Sequence, residues 1–410
     1  MRSGREIALD ELDWPSLIHP GDFVAWGQAS SEPTGLTESL VAARASVGGF
    51  RAFVGMSYAS TVDSSLTDWI QYSSYCGTSN NRRLGQALEI WPLQYSDLAR
   101  SIARMDPVVL ISVCPGADDD HFAFCLGADY VADIIPHARL VIAQLGGGVF
   151  RSGSGRDIRR SEIDILVRSD LVPPSPGELA ASEAELRIAG HIANLVEDGS
   201  VLQIGLGSVP AAAMRALAKH RRLGVHSGQI GEEVATLVEA GIITNEEKQV
   251  DRGYSIAGVL SGSARLMRWA VSEPKLRMRA TSYTHDPVIL ASLNRFVSIN
   301  SAIEIDLSGQ INAEIAGGRY VGAVGGAPAF LRGAAASRGG LPIVALPSLA
   351  SGGQSRIVEH LSGPVSTARC DAGIIVTEHG VADLRGLDLS RRRQALLDIA
   401  DPGFRARVVG

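Results

Sequence analysis

Several things are scarce in these 410 residues. There are four cysteines, Cys76, Cys114, Cys125 and Cys370, and no C-x-x-C pair among them. Thiolate metal clips are therefore not expected, and reduced thiols of a cytoplasmic protein are. No run of about 18 uncharged apolar residues occurs, so no membrane span is expected. The opening stretch MRSGREIALDELDW holds no apolar core of signal-peptide length. Positive charge is not in excess: 38 Lys and Arg face 44 Asp and Glu, a net charge of −6. That balance argues against a broad nucleic-acid surface. The G-x-S-x-G elbow of a serine hydrolase is also missing.

Glycine is abundant. The chain has 45, where average usage of about 7% gives roughly 29. Such an excess suits tight turns and close approach of backbone to a ligand. Hydrophobic content of 45% and charge of 20% are ordinary for a globular enzyme.

Apolar runs alternate with longer amphipathic segments. GDFVAWGQ, FRAFVGMS, PVVLISVC and ARLVIAQLG read as buried strands, each followed by a turn or helix. This predicts an α/β fold with largely parallel sheets. The proline-bearing stretch DLVPPSPGELAASEAEL, residues 170–186, reads as a linker, with Ser182 and Glu185 forming a capping box for the next helix. Two α/β domains are expected, 1–180 and 181–410.

Four stretches could carry chemistry. In VLQIGLGSVPAAAMRAL a strand delivers Gly205-Leu206-Gly207-Ser208-Val209, and Pro210 is expected to open a helix whose N-terminus favours an anion. A nucleotide-bearing ligand fits, as does a plain tight turn. NAD is disfavoured, because a dinucleotide fingerprint wants glycine where Pro210 stands. In GGRYVGAVGGAPAFLRGAA, Gly325 and Gly326 could offer backbone N–H groups to an oxyanion, or simply form a turn. IVTEHGVADLRG sets Glu378 and His379 at a strand end, as a functional carboxylate or as a helix-entry acid. Asn300, after RFVSI, could position a carbonyl or bond its own backbone. The run Asp118-Asp119-Asp120-His121 reads as a solvated loop, since consecutive residues rarely converge on one ion. No metal is expected.

Taken in order, GLGSVP, LGVHSG, EAGIITN, SINSAIEIDLSGQIN, GAVGGAPAFLRGA, SRIV and VTEHGVADLRG resemble the acetyl-CoA hydrolase/transferase family. That family includes 4-hydroxybutyrate and succinyl-CoA:acetate CoA-transferases. The resemblance spans most of the chain and is strongest from about residue 190 onward. It implies two CoA-transferase-type α/β domains, a homodimer or larger homo-oligomer, coenzyme A or acyl-CoA as substrate, and a small carboxylate or other acceptor. No nucleic-acid or membrane partner is implied.

In the family a glutamate attacks the acyl-CoA, passes through a mixed anhydride and is captured as a glutamyl-CoA thioester. That glutamate follows a His-Ser or His-Thr pair, and matching the motif puts Gly228 in its place. Further departures stand at Gln144, Gly146 and Ala329, while Asn300, Gly325, Arg356 and Glu378 match. The implied CoA-binding set is Gly205 to Val209, Gly325 and Arg356. The implied catalytic set is Asn300 and the Gly325-Gly326 amides as carbonyl polarisers, with Glu378 as base. Three readings stay open: direct attack on the thioester by water or another acceptor, ordinary CoA transfer by a displaced acid such as Glu232, and a catalytically silent CoA-binding protein.

Overall fold

A computed structural model of the protein describes residues 4–116, 118–124, 126–146, 158–169, 173–177 and 180–409. Cys125 and the linker positions 170–172 and 178–179 lie outside the described residues. The chain forms two compact units. The first comprises Met1–Pro176, Ile230–Glu232 and Ile256–Thr284; the second comprises Gly177–Gln229, Glu233–Ser255 and His285–Gly410. Two stretches beyond residue 180 thus belong to the first unit.

The fold is mixed α/β with large parallel sheets. In the first unit the sheet runs Arg5–Ile7, Ile165–Ser169, Leu140–Gly146, Val108–Pro115, Phe23–Trp26, Phe50–Phe53, Ile70–Ser74 and Leu88–Ile90. Every neighbouring pair on this path is parallel. The four apolar runs read as strands all lie within it. Phe23–Trp26 is buried at each position, as expected of a central parallel strand covered on both faces. Where Phe23–Trp26 ends, the chain enters a wholly buried polar stretch. Glu32 there accepts from Ser57 at 2.7 Å and Thr61 at 2.8 Å, and Gln28 donates to Asp129 at 3.1 Å. Burial pushes both carboxyls, Glu32 and Asp129, up to about 7 despite these bonds.

In the second unit the strands lie in the order Gly224–Ile230, Val201–Ile204, Phe296–Ser301, Leu341–Ala345, Ile374–Thr377 and Gly380–Asp383. The first five are parallel, and the last folds back antiparallel. Val201–Ile204 continues to Gly224–Ile230 on one side, while its neighbour Phe296–Ser301 continues to Leu341–Ala345 on the other. The switch point of the sheet therefore falls between them, where open α/β sheets place their ligands beyond the carboxyl ends. Close packing under this edge relies on Gly333 of helix Ala327–Ala336. A Cβ there would stand 2.6 Å from Leu290 Cβ, so the helix Pro287–Ser292 approaches it face to face. Leu290, Phe296 and Phe330 form the buried core of that contact, each worth about 1.5–3 kcal/mol of burial.

Candidate active site

The carboxyl ends of the five parallel strands gather the sequence candidates of the second unit. Val201–Ile204 ends in Gly205, whose N–H donates to Ile299 O at 2.7 Å across the switch point. A Cβ on Gly205 would lie 3.0 Å from Asn300 Oδ1, so only glycine fits so close to the neighbouring strand. Gly207 has φ +112, a conformation that favours glycine, and caps the helix Ser208–Ala216. The helix starts at Ser208, two residues before the expected Pro210, because the glycine itself makes the turn.

An anion already stands at this helix start. Ser208 Oγ donates to the Glu185 carboxylate. The predicted capping box is present too, with Ser182 N–H donating to Glu185 Oε2 at 2.7 Å and Ser182 Oγ accepting from Glu185 N–H at 3.3 Å. Partial burial pushes the Glu185 carboxyl up, but the Ser208 and Ser182 bonds outweigh this and hold it below its ordinary value.

Asn300 lies at the end of its strand with both amide hydrogens engaged. Nδ2 donates to Gln203 Oε1 at 3.0 Å and to Ser298 Oγ at 2.8 Å, and Oδ1 accepts from Gln203 at 3.3 Å. The expected direct polarising of a carbonyl would require these bonds to break. Within this arrangement Asn300 braces the strand end beneath Gly205.

Glu378 occupies the two-residue turn between Ile374–Thr377 and the antiparallel Gly380–Asp383, so the helix-entry alternative does not hold. Its Oε2 accepts from Ser348 N–H and its Oε1 from Ser348 Oγ, both at 2.8 Å. Ser348, fully buried just beyond Leu341–Ala345, was invisible to motif reasoning. The half-buried Arg356 feels both Glu185 and Glu378. Burial lowers its tendency to hold a proton, and the two carboxylates counter that.

Gly325 has φ +59 and Gly326 φ −87, and the second caps the helix Ala327–Ala336. Successive amides with φ of opposite sign form a concave N–H pair suited to an anion. Ala329 lies in the first turn of that helix.

Gly228 is a strand residue of Gly224–Ile230 rather than a loop residue. A Cβ on it would stand 3.0 Å from His285 Cε1, 3.3 Å from His285 Nε2 and 3.4 Å from Phe330 Cε2. A Cβ on Gly326 would run into His285 Nε2 as well. The His285 ring thus borders both glycines and packs on Phe330, with centroids 4.4 Å apart. Sequence reasoning passed over His285, since nothing local in THDPV announces the partners that the fold brings to it.

The remaining candidates go elsewhere. Glu232 and Glu233 begin the helix Glu232–Glu239, as expected. Glu232 accepts from Ser263 N–H at 2.7 Å and Arg265 at 3.0 Å, and Glu233 from Arg215 at 2.6 Å. Burial alone would raise the Glu232 carboxyl, but the Ser263 and Arg265 bonds hold it below its ordinary value. In the first unit Gln144 is buried and accepts from Leu36 N–H at 3.2 Å. Asp118 accepts from Asp120 N–H at 3.0 Å and pairs with His121 at 2.7 Å. Among the described residues no three His, Cys, Asp or Glu side chains gather around a possible metal position, and no helix is long and apolar enough to cross a membrane.

The acetyl-CoA hydrolase/transferase C-terminal domain matches residues 262–409. The 4-hydroxybutyrate coenzyme A transferase of Clostridium kluyveri is 35% identical over 309 residues, covering 73% of this chain and 70% of the relative. The crystal structure of RipA from Yersinia pestis superposes with a TM-score of 0.91 at 29% identity, covering 99% of this chain and 96% of that one. The 4-hydroxybutyrate CoA-transferase of Porphyromonas gingivalis gives a TM-score of 0.83 at 27% identity, with coverage of 99% and 96%.

Proposed function

Since the chain belongs to the acetyl-CoA hydrolase/transferase family, we propose that it acts on an acyl-CoA thioester by direct attack of water or another acceptor, with no glutamyl-CoA intermediate. One observation carries the reading. Read on the family's His-Ser or His-Thr motif, Gly228 follows His226-Ser227 where the nucleophile would stand, and a Cβ on it would border the His285 ring. A glycine supplies no nucleophile. The displaced-acid alternative is disfavoured, because Glu232 and Glu233 are each tied to an arginine.

CoA would lie along the carboxyl edge of the second sheet. Glu185 already meets the helix at Ser208, and a second anion there would be repelled. We therefore assign the uncharged pantetheine arm to the Gly205–Val209 turn, where Leu206 is exposed, and a CoA phosphate to Arg356 as a charge-assisted donor. The Gly325 and Gly326 amides take the developing oxyanion, Asn300 braces the Gly205 turn, and Glu378 stays fixed by Ser348 opposite Arg356. Incubation with acetyl-CoA, followed by assay of free CoA thiol and by intact-protein mass spectrometry, tests the reading. Turnover without a protein-bound CoA adduct is expected; the absence of turnover, or an adduct on glutamate, contradicts it.

A further inference from the structure

Resting on that reading, we propose that Glu314 is a positioning residue of the reaction, gripping the segment that leads into Gly325 and Gly326 so that their amides face the developing oxyanion. The grip uses main chain and side chain together. The Glu314 carbonyl accepts from Val321 N–H at 2.8 Å and Gly322 N–H at 2.9 Å, and its side-chain Oε2 accepts from the Tyr320 hydroxyl at 2.9 Å. One residue thus holds three successive ones, 320 to 322, just ahead of the amide pair. Ala323 N–H donates to Ala313 O at 3.0 Å and extends the grip by one residue. The approach is so close that a Cβ on Gly322 would run into the Ala313 oxygen.

Glu314 is itself fixed from beneath. Its Oε1 accepts from Ser366 Oγ at 2.6 Å, and the same hydroxyl accepts from Ala313 N–H at 2.9 Å. Its own N–H donates to Asn312 Oδ1 at 2.9 Å. Asn312 is fully buried and donates through Nδ2 to Glu304 Oε1 at 2.9 Å, which also accepts from Ser362 N–H at 2.6 Å. Strand Glu304–Asp306 pairs with Ile311–Asn312 and with Ile357–Val358, and Ile305, Ile311 and Ile357 share one core with Leu331. Leu331 belongs to the helix Ala327–Ala336 that Gly326 caps. The amide pair is therefore anchored on both sides, by Glu314 before it and by the core helix after it.

The hairpin before the amides does not itself require this acid. Ile315–Ala316 and Arg319–Tyr320 pair through their backbones, and Gly317 and Gly318 make the turn with φ +55 and +73. A carboxyl that is only 4% exposed is costly unless its oxygens are bonded, and both are, to hydroxyls from two separate stretches. What Glu314 adds is order past the hairpin, on the side where the amides stand. Oxyanion donors work by standing in place before charge develops. A misplacement of about 1 Å costs about 10²-fold in rate.

Tyr320→Phe removes one hydroxyl and keeps the ring. Glu314→Gln keeps an oxygen for that hydroxyl, and Glu314→Ala keeps none. In hydrogen–deuterium exchange the peptide spanning 321–326 should exchange about tenfold faster in Tyr320→Phe and Glu314→Ala than in wild type, with Glu314→Gln in between. With acetyl-CoA as probe, kcat should fall about 10- to 100-fold in the first two while KM stays within about twofold, and Glu314→Gln should recover part of the loss. Tyr72→Phe, which removes a hydroxyl bond to Thr61 O at 2.7 Å in the first unit, should lower the melting temperature and leave kcat unchanged. Unchanged exchange at 321–326 overturns the proposal; so does faster exchange at wild-type kcat, or an equal kcat loss in Tyr72→Phe. If the wild-type protein itself releases no CoA from acetyl-, succinyl- or 4-hydroxybutyryl-CoA, the thioester reading fails and the positioning role falls with it. If the wild type turns over and Tyr320→Phe matches it, only the positioning role falls.

Discussion

Gly228 and His285 compete for one volume: a Cβ on the glycine would stand 3.0 Å from Cε1 of the imidazole. Gly228 sits in an extended strand, outside the left-handed region, so its backbone accepts any residue. The obstacle to Gly228→Glu is the ring and Phe330, not φ. We expect overpacking to cost about 1–3 kcal/mol and the variant to form little glutamyl-CoA, because attack needs the carboxylate within about 3–3.5 Å of the thioester carbon. Removing the ring as well should help. Gly228→Glu with His285→Ala should give more adduct by mass spectrometry than Gly228→Glu alone; equal or lower yield would show that the ring is not the obstacle.

Arg356 supplies a second test. Without a direct carboxylate partner within ion-pair distance among the described residues, its half-buried guanidinium is available to a phosphate. Arg356→Ala should weaken CoA binding by about 10- to 150-fold, the equivalent of a charged hydrogen bond of about 1.5–3 kcal/mol. Pantetheine, which has no nucleotide phosphates, should bind both proteins alike in calorimetry. An equal loss for both ligands would move the phosphate elsewhere.

Asn300 is expected to matter for stability and rate together. Asn300→Ala leaves buried Gln203 Nε2 without its 3.3 Å acceptor and frees the strand end below Gly205. A stability loss of about 1–3 kcal/mol in urea unfolding follows, and turnover should fall with it. Unchanged stability would mean that Gln203 and Ser298 satisfy each other alone.

The parallel strands were legible because buried strands must be apolar along their whole length, as VVLISV within Val108–Pro115 is. Glycine turns at Gly207 and Gly325 were legible for a related reason: a left-handed φ selects glycine. What local pattern could not supply was partnership. His285 meets Gly228 and Gly326, and Ser348 meets Glu378, only because parallel strands far apart in the chain end at one edge. The acid beside the Ser208 turn escaped for the same reason, although the capping box that holds Glu185 was read correctly.

Buried charges in both units predict an uncommon pH profile. Glu32 and Asp129 have ordinary values of 4.5 and 3.8 and stand at about 7 in the folded protein. Between those limits the folded state holds more protons than the unfolded state, so stability falls as pH rises toward 7. Lys248, buried with its ammonium donating to the Val225 and Tyr254 carbonyls, is lowered by burial from 10.5 to about 7. There the unfolded state holds the extra proton, and stability rises from pH 7 toward 10.5. Each group contributes a slope of up to about 1.4 kcal/mol per pH unit. Urea midpoints against pH should show Glu32→Gln flattening the acid limb and Lys248→Met the alkaline limb. A parallel offset of either variant from wild type would contradict the assignment.

The central claim is thioester chemistry without a glutamyl-CoA intermediate, and intact-protein mass spectrometry during turnover addresses it most directly. Wild-type protein mixed with acetyl-CoA and quenched during thiol release should carry no CoA mass increment on any peptide while free CoA accumulates. A CoA increment mapping to a glutamate would make that residue the nucleophile and contradict the reading of Gly228.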